Sequence, residues 1–298
     1  MRGYFLVGGA AASWGLWPLV LRSAARFGPV DASMWAAALM AVTTIATAPS
    51  LIGCKLHRIP RRVLVLAALL GVSDAANAWC FFQAYRETTV ALAISTHYLA
   101  PILVAVLGPL VGDGPAPRRA LLAACAGFSG LLLVLDPLST TLDRGAVVGS
   151  AFGVASAFAY AANIFLNRRI GDALTGAQVM AIHGIVATPL LMAVTSADAW
   201  RHAAPGTLGV AVAAGFTIGA GSGVAFVSGL RFIPTVHGAV LTFLEPIVAL
   251  ALGVGVLGEI LTAQAFVGAL VVVAAGVIVV MPRRRTADSP EGGATARG

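Results

Sequence analysis

Glu245 lies inside LTFLEPIVALALG, an apolar run from Leu241 to Gly253, with Pro246 directly after it. A charged carboxylate at the centre of a lipid-facing helix costs about 3 kcal/mol on insertion scales, so such a residue must face a bundle interior, a water-filled cavity or a partner. There it can be charged or protonated, which is what proton coupling requires. A structural reading stands beside the functional one. Proline leaves the carbonyl four residues back without its helical donor, and a protonated Glu245 could cap it. Asp74, in VLVLAALLGVSDAANAWCFF, is the second such carboxylate, and Asn77 follows three residues later on nearly the same helical face. Together they offer a carboxylate and an amide to a polar ligand or to a neighbouring helix. A carboxylate of this kind binds a substrate amine or carries a proton, and spacing alone does not choose.

Other polar and aromatic residues qualify less sharply. His97 and His183 fall near the middle of apolar runs and His237 nearer an end. An imidazole can sense pH or share a proton with Asp74 or Glu245, although a packed histidine with its bonds satisfied is the commoner case. Asn163, Asn167 and Gln178 suit either a cavity or interhelical bonding. Trp14, Trp17, Trp79, Phe82 and Tyr98 suit a cavity wall stacking on an apolar or cationic ligand, or a packed core. Trp35 and Trp200 lie near segment ends and read as interface anchors. No histidine or cysteine spacing matches a metal site, and Cys54, Cys80 and Cys125 read as free thiols packed among helices. GVGVLG at 253–258 has the form of a dinucleotide motif without the preceding strand that gives it meaning. No cofactor is expected.

The elements that hold these residues must be membrane helices. Hydrophobic residues make up 59% of the chain and charged residues 10%, and the mean hydropathy is +0.92, outside the range of a soluble globular domain. Runs of about 20 apolar residues match the length of helix that crosses a bilayer core. Ten are expected, near 4–21, 31–51, 63–82, 88–111, 119–136, 146–167, 174–194, 207–229, 235–257 and 262–281, in an all-α integral membrane fold. Barrel strands would alternate over about ten residues, which these runs do not. The first run reads as an uncleaved helix and not a secretory signal. The polar tail 282–298 reads as disordered.

The net charge of +7 is an orientation signal. With the N-terminus inside, fourteen of the nineteen basic residues fall on the inner side, among them Arg2, Lys55, Arg58, Arg61, Arg62, Arg118, Arg119, Arg168, Arg169 and Arg231. Five fall outside: Arg22, Arg26, Arg86, Arg144 and Arg201. The positive-inside rule then places both termini in the cytoplasm. The clusters KLHRIPRR, PRR and NRR belong at anionic lipid headgroups, and no nucleic-acid role is expected.

Shifting the chain by 145 residues aligns 84–114 with 229–259, so that Arg86 meets Arg231, Pro101 meets Pro246 and Gly108 meets Gly253. The same shift lays SWGLWPLVLR over FAYAANIFLN. A repeat of five spans is odd-numbered, so its second copy is inverted across the membrane, the usual basis of alternating access around a central site. The expected units are 1–141 and 142–281.

With Trp14-Gly15 in the first helix, Pro101 in the fourth and LEPIVALALGVGVLGE from Leu244 to Glu259, the chain resembles the drug/metabolite transporter superfamily, in particular ten-helix EamA-type permeases. The first repeat departs from the second, with Ala100-Pro101 and Gly112-Asp113 in place of Glu245-Pro246 and Gly258-Glu259. The resemblance implies secondary transport of a small organic metabolite, such as an amino acid or a xenobiotic, driven by protons or another gradient. It favours export from the cytoplasm through the cytoplasmic (inner) membrane and implies no enzymatic activity. Uptake or exchange, a membrane enzyme and a non-transporting assembly or sensor protein are the rival readings. Oligomeric state stays open. The residues expected to hold substrate or proton are Glu245, Asp74, Asn77, His97, Trp14, Tyr98, Trp79 and Asn163.

Overall fold

The computed structural model describes residues 1–281, so the tail at 282–298 lies outside the described residues. Ten segments are long and apolar enough to cross a membrane: α1 (Arg2–Ala25), α2 (Ala32–Leu51), α3 (Arg61–Glu87), α4 (Val90–Val111), α5 (Arg118–Leu135), α6 (Arg144–Ala173), α7 (Gly176–Val194), α8 (Pro205–Leu230), α9 (Thr235–Leu257) and α10 (Ala263–Val280). They stand where the apolar runs place them. Several run a turn further than expected, because α1, α3 and α6 continue through the charged ends at Arg2, Arg61, Arg144, Arg168 and Arg169. Arginine is a good helix former whose long stem lets the charge reach water from such a position.

Polar side chains close the helix starts. Asp31, Thr89, Asp143 and Thr262 each accept a backbone N–H of the first turn. Thr175 and Gln178 form a reciprocal capping box, and the Gln178 amide also donates to the Ser50 carbonyl. Gln178 is therefore a cap, not a cavity residue.

Small residues fill the interior and large ones cover the outside. Ala11, Ala37, Ala67, Ala157 and Ala187 are fully buried, whereas Phe5, Ile45, Leu122, Phe158 and Val256 are mostly exposed. This inversion of the soluble pattern is expected where the surrounding solvent is hydrocarbon and helices gain most by close approach. α3 packs along α6 and α7, α2 along α7, α5 along α10, and α8 along α1 and α2.

Four helices are irregular in their middles. α1 breaks at Gly15-Leu16, α4 at Tyr98-Leu99 and α9 at Thr242-Phe243. Pro18, Pro101 and Pro246 each stand at the beginning of the second half, where a missing N–H is tolerated. In α8, the glycine-rich stretch Gly215–Ser222 forms an eight-residue π-helix. Widened turns of this kind are frequent at functional sites.

Two expectations need correction. Trp35 is 2% exposed and packs with Ala24, Ala211 and Trp200, so it is a core residue and not an interface anchor. Its position near a helix start suggested an anchor, but the neighbouring helices cover it. Cys125 is exposed on the bundle surface, while Cys54 and Cys80 are partly buried.

Candidate functional site

The breaks in α1 and α9 meet. A Cβ on Gly15 would lie 2.6 Å from both the Glu245 carbonyl oxygen and Val248 Cβ, so only glycine allows this approach. Pro246 frees the carbonyl of Thr242, four residues earlier, and that carbonyl accepts the Glu245 backbone N–H at 3.1 Å. The repair is therefore made by the backbone, and the Glu245 side chain is not spent on it. Tyr85 of α3, Tyr98 of α4 and Tyr160 of α6 surround the carboxylate closely enough to feel its charge, with the Tyr98 hydroxyl directed to it. Among the described residues no arginine, lysine or histidine forms an ion pair with it. Glu245 and Tyr160 lie near the middles of α9 and α6 and Tyr85 near the end of α3, and all three keep partial accessibility.

Asp74 forms a second cluster. Its Oδ1 accepts from Asn163 Nδ2 at 2.9 Å, and its Oδ2 lies 3.0 Å from His183 Nε2. His183 Nδ1 bonds the Met180 carbonyl at 3.1 Å, and Asn167 Nδ2 donates to the Asn163 carbonyl at 3.0 Å. The Asp74 side chain is 27% exposed against 4% for His183, so the carboxylate is the more accessible member of the pair. Tyr160 lies within reach of both Asp74 and Glu245 and joins the two clusters.

His97 and Asn77 belong to a third group. The Ser156 hydroxyl donates to Asn77 Oδ1 at 2.8 Å and accepts from His97 Nδ1 at 2.8 Å. His97 is also stacked on Tyr160, with centroids 5.2 Å apart. Asn77 shares a helical face with Asp74, yet its amide oxygen is occupied from α6. His97 is thus held as a buried donor beneath the phenols.

The tryptophans stand apart from these groups. Trp14 packs on Phe226 at 5.0 Å, and Trp79 meets Phe152 edge-on. Trp79 also lines a crevice of about 250 Å³ with Asp31, Phe82, Gln83 and Arg86, at one end of the bundle. A larger crevice of about 520 Å³ opens at the opposite end, beside Asp113, Pro115, Arg168 and Arg231. Its basic residues are engaged. Arg168 donates to the Leu230 and Arg231 carbonyls, and Arg231 to the Leu174 carbonyl while pairing with Asp172. Neither Glu245 nor Asp74 lines either crevice.

Sequence reading alone did not single out Tyr85, Tyr160 or Ser156. A signal was present for two of them: Ser156, Tyr160, Asn163 and Asn167 recur at intervals of four, three and four residues, a polar stripe down one face of an otherwise apolar helix.

The profile of the EamA-like transporter family matches residues 1–136 and again 147–281. A protein of Archaeoglobus fulgidus described as an uncharacterized transporter is 24% identical over 224 residues, covering 74% of this chain and 76% of its own length. A crystal structure described only as that of a protein superposes with a TM-score of 0.77 over 93% of this chain and 97% of that one, at 13% identity. At that identity the likeness concerns the fold alone.

Proposed function

Because the chain belongs to the EamA-like transporter family, and is therefore a multi-pass membrane transporter and not an enzyme, we propose that it is a secondary exporter of small organic metabolites or xenobiotics that carry an amine. The observation that carries this reading is Glu245: a carboxylate halfway through the bundle, without a cationic partner among the described residues, among three phenols, with the Thr242 carbonyl that Pro246 frees satisfied by the backbone. Such a group is short of a positive partner, and a ligand ammonium supplies one. Phenol faces add cation–π attraction, about 2 kcal/mol per contact where water is excluded. An amino acid meets these demands, as does a cationic xenobiotic.

The substrate reaches Glu245 alternately from the two ends. Several observations support an inverted repeat of 1–141 and 142–281 as the device. The family profile matches two successive segments. Exchanging each of α1–α5 with the helix five places later maps the α3–α6 packing onto α8–α1, and the α2–α7 and α5–α10 pairs onto themselves. Tyr98 and Phe243, equivalent under the 145-residue shift, stack on each other at 5.8 Å, where a two-fold axis would pass. Both termini lie on the cytoplasmic side of the cytoplasmic membrane, in keeping with the basic residues. Coupling is to protons.

The test compares extracellular small molecules from cells carrying wild type, Glu245→Gln or empty vector at matched protein abundance. Enrichment with wild type alone is expected. Equal enrichment with the variant would remove Glu245 from the site, and counterflow into oriented vesicles without net export would replace export with uptake or exchange.

A further inference from the structure

Three candidates stand outside the Glu245 site: the 520 Å³ crevice, the Asp31–Arg86 crevice and the Asp74–His183 cluster. In the first, Arg168 and Arg231 are already bonded to carbonyls and to Asp172. In the second, the Asp31 carboxylate is committed to Ser33 and to the Met34 N–H as a helix cap. The third is built differently.

We propose that Asp74 and His183 form a dedicated proton site, a single proton shared between α3 and α7, separate from the carboxylate that meets the substrate. The assignment rests on the transporter reading above and on hydrogen-bond accounting. The Met180 carbonyl can only accept, so His183 Nδ1 carries a hydrogen. The 3.0 Å contact between His183 Nε2 and Asp74 Oδ2 then needs one more proton. It resides on Nε2, giving an imidazolium–carboxylate pair, or on Oδ2, giving a neutral acid and imidazole. In either form the pair has no net charge and holds one exchangeable proton. When that proton leaves, an aspartate and a neutral imidazole remain, and the one ring hydrogen left cannot serve both the Met180 carbonyl and Asp74 Oδ2. With that hydrogen kept on Nδ1, lone pairs face each other across 3.0 Å and the Asp74 contact breaks.

The surroundings suit this role. Asp74 is the exposed member, so the proton leaves or enters on the cavity side while His183 stays covered. Asn163 Nδ2 holds Oδ1 and leaves Oδ2 to the imidazole. α7 contributes no titratable side chain besides His183, and the helix of α2 contributes none. α6 brings Tyr160 to the site and carries Arg144, Arg168 and Arg169 only at its ends, while α4 brings His97, which is bonded to Ser156. Among the described residues no arginine or lysine pairs with Asp74 to replace the proton. The helices are also closely set here: a Cβ on Gly71 would lie 2.4 Å from the His183 carbonyl oxygen. Loss of the bond thus acts directly on the α3–α7 crossing, and Tyr160 carries the change in charge toward Glu245.

Two measurements on the full chain in phosphatidylethanolamine–phosphatidylglycerol vesicles test the site, with the proton itself as the probe. In the first, side-chain ¹⁵N spectra of labelled histidine are followed against pH, with the His183 signal assigned by its loss in His183→Gln. His183 is expected to exchange its Nε2 proton in one transition, and Asp74→Asn to change the proton affinity of that transition about ten-fold. In the second, spin labels at Leu69→Cys and Ile185→Cys, both on exposed positions with the native cysteines replaced, report the α3–α7 distance. A distance that changes with pH in the otherwise native chain and not with Asp74→Asn supports the site. A His183 transition that Asp74→Asn leaves unchanged overturns it, as does a distance that ignores pH. Neither reading needs a transported substrate, so failure here is distinct from failure of the Glu245 reading.

Discussion

Glu245 and Asp74 occupy similar depths in one bundle but have opposite surroundings. Glu245 stands among phenols from three other helices, with no ion-pair partner in the described chain. Asp74 is bonded on both oxygens, by an amide and an imidazole. A carboxylate whose charge is met internally can cycle a proton without attracting a ligand cation. One left unmet is available to a ligand, and its desolvation is offset only when something binds, whether substrate or proton.

This contrast can be broken or sharpened by substitution. The largest effect is expected from Glu245→Gln, which removes the charge and keeps the shape. Export or counterflow should fall at least about ten-fold at matched abundance, with little change in thermal stability, because no internal ion pair is lost and the amide keeps an oxygen that accepts from the Tyr98 hydroxyl. A large loss of stability with normal transport would reverse the contrast.

Asp74→Ala should do the reverse in stability. It leaves His183 Nε2 and Asn163 Nδ2 without their acceptor, at a cost of about 1–3 kcal/mol for each buried donor, while Asp74→Asn keeps an acceptor and loses the proton site. Thermal unfolding in detergent should rank wild type and Asp74→Asn together and Asp74→Ala below. Gly71→Val tests the same crossing by steric means. Over-packing against the His183 carbonyl should cost about 1–3 kcal/mol and blunt the pH response of the spin-label distance. The smallest effect belongs to Arg22→Gln. Arg22 and Glu259 pair at 4.0 Å with both side chains more than half exposed, and such pairs contribute well under about 1 kcal/mol. A flux loss comparable to that of Glu245→Gln would show that an external ion pair, and not the interior carboxylate, limits transport.

Much of this arrangement was legible from residue order. Span number and position follow from apolar run length, because a helix rises by a constant amount per residue and the bilayer has a fixed thickness. Glu245, Asp74, Asn163 and Tyr98 stand out as polar or amphipathic groups at depth. Grouping was less legible. Asn77 lies three residues from Asp74 on one helix, yet Ser156 of α6 occupies its oxygen. His183, one of three histidines inside apolar runs, becomes the partner of Asp74 only because α7 crosses α3 at Gly71. Trp35 looked like an anchor until packing buried it.

By itself, then, the order of residues determined a ten-helix membrane fold and two carboxylates that cannot face lipid, since each follows from local length, polarity and periodicity. Tertiary structure alone decided that one carboxylate has only phenols around it and no ion-pair partner among the described residues, while the other is paired with a histidine. The reason is that pairing depends on which helices cross at which height, and the chemical character of a buried acid is set by atoms that lie tens to hundreds of residues away in the chain.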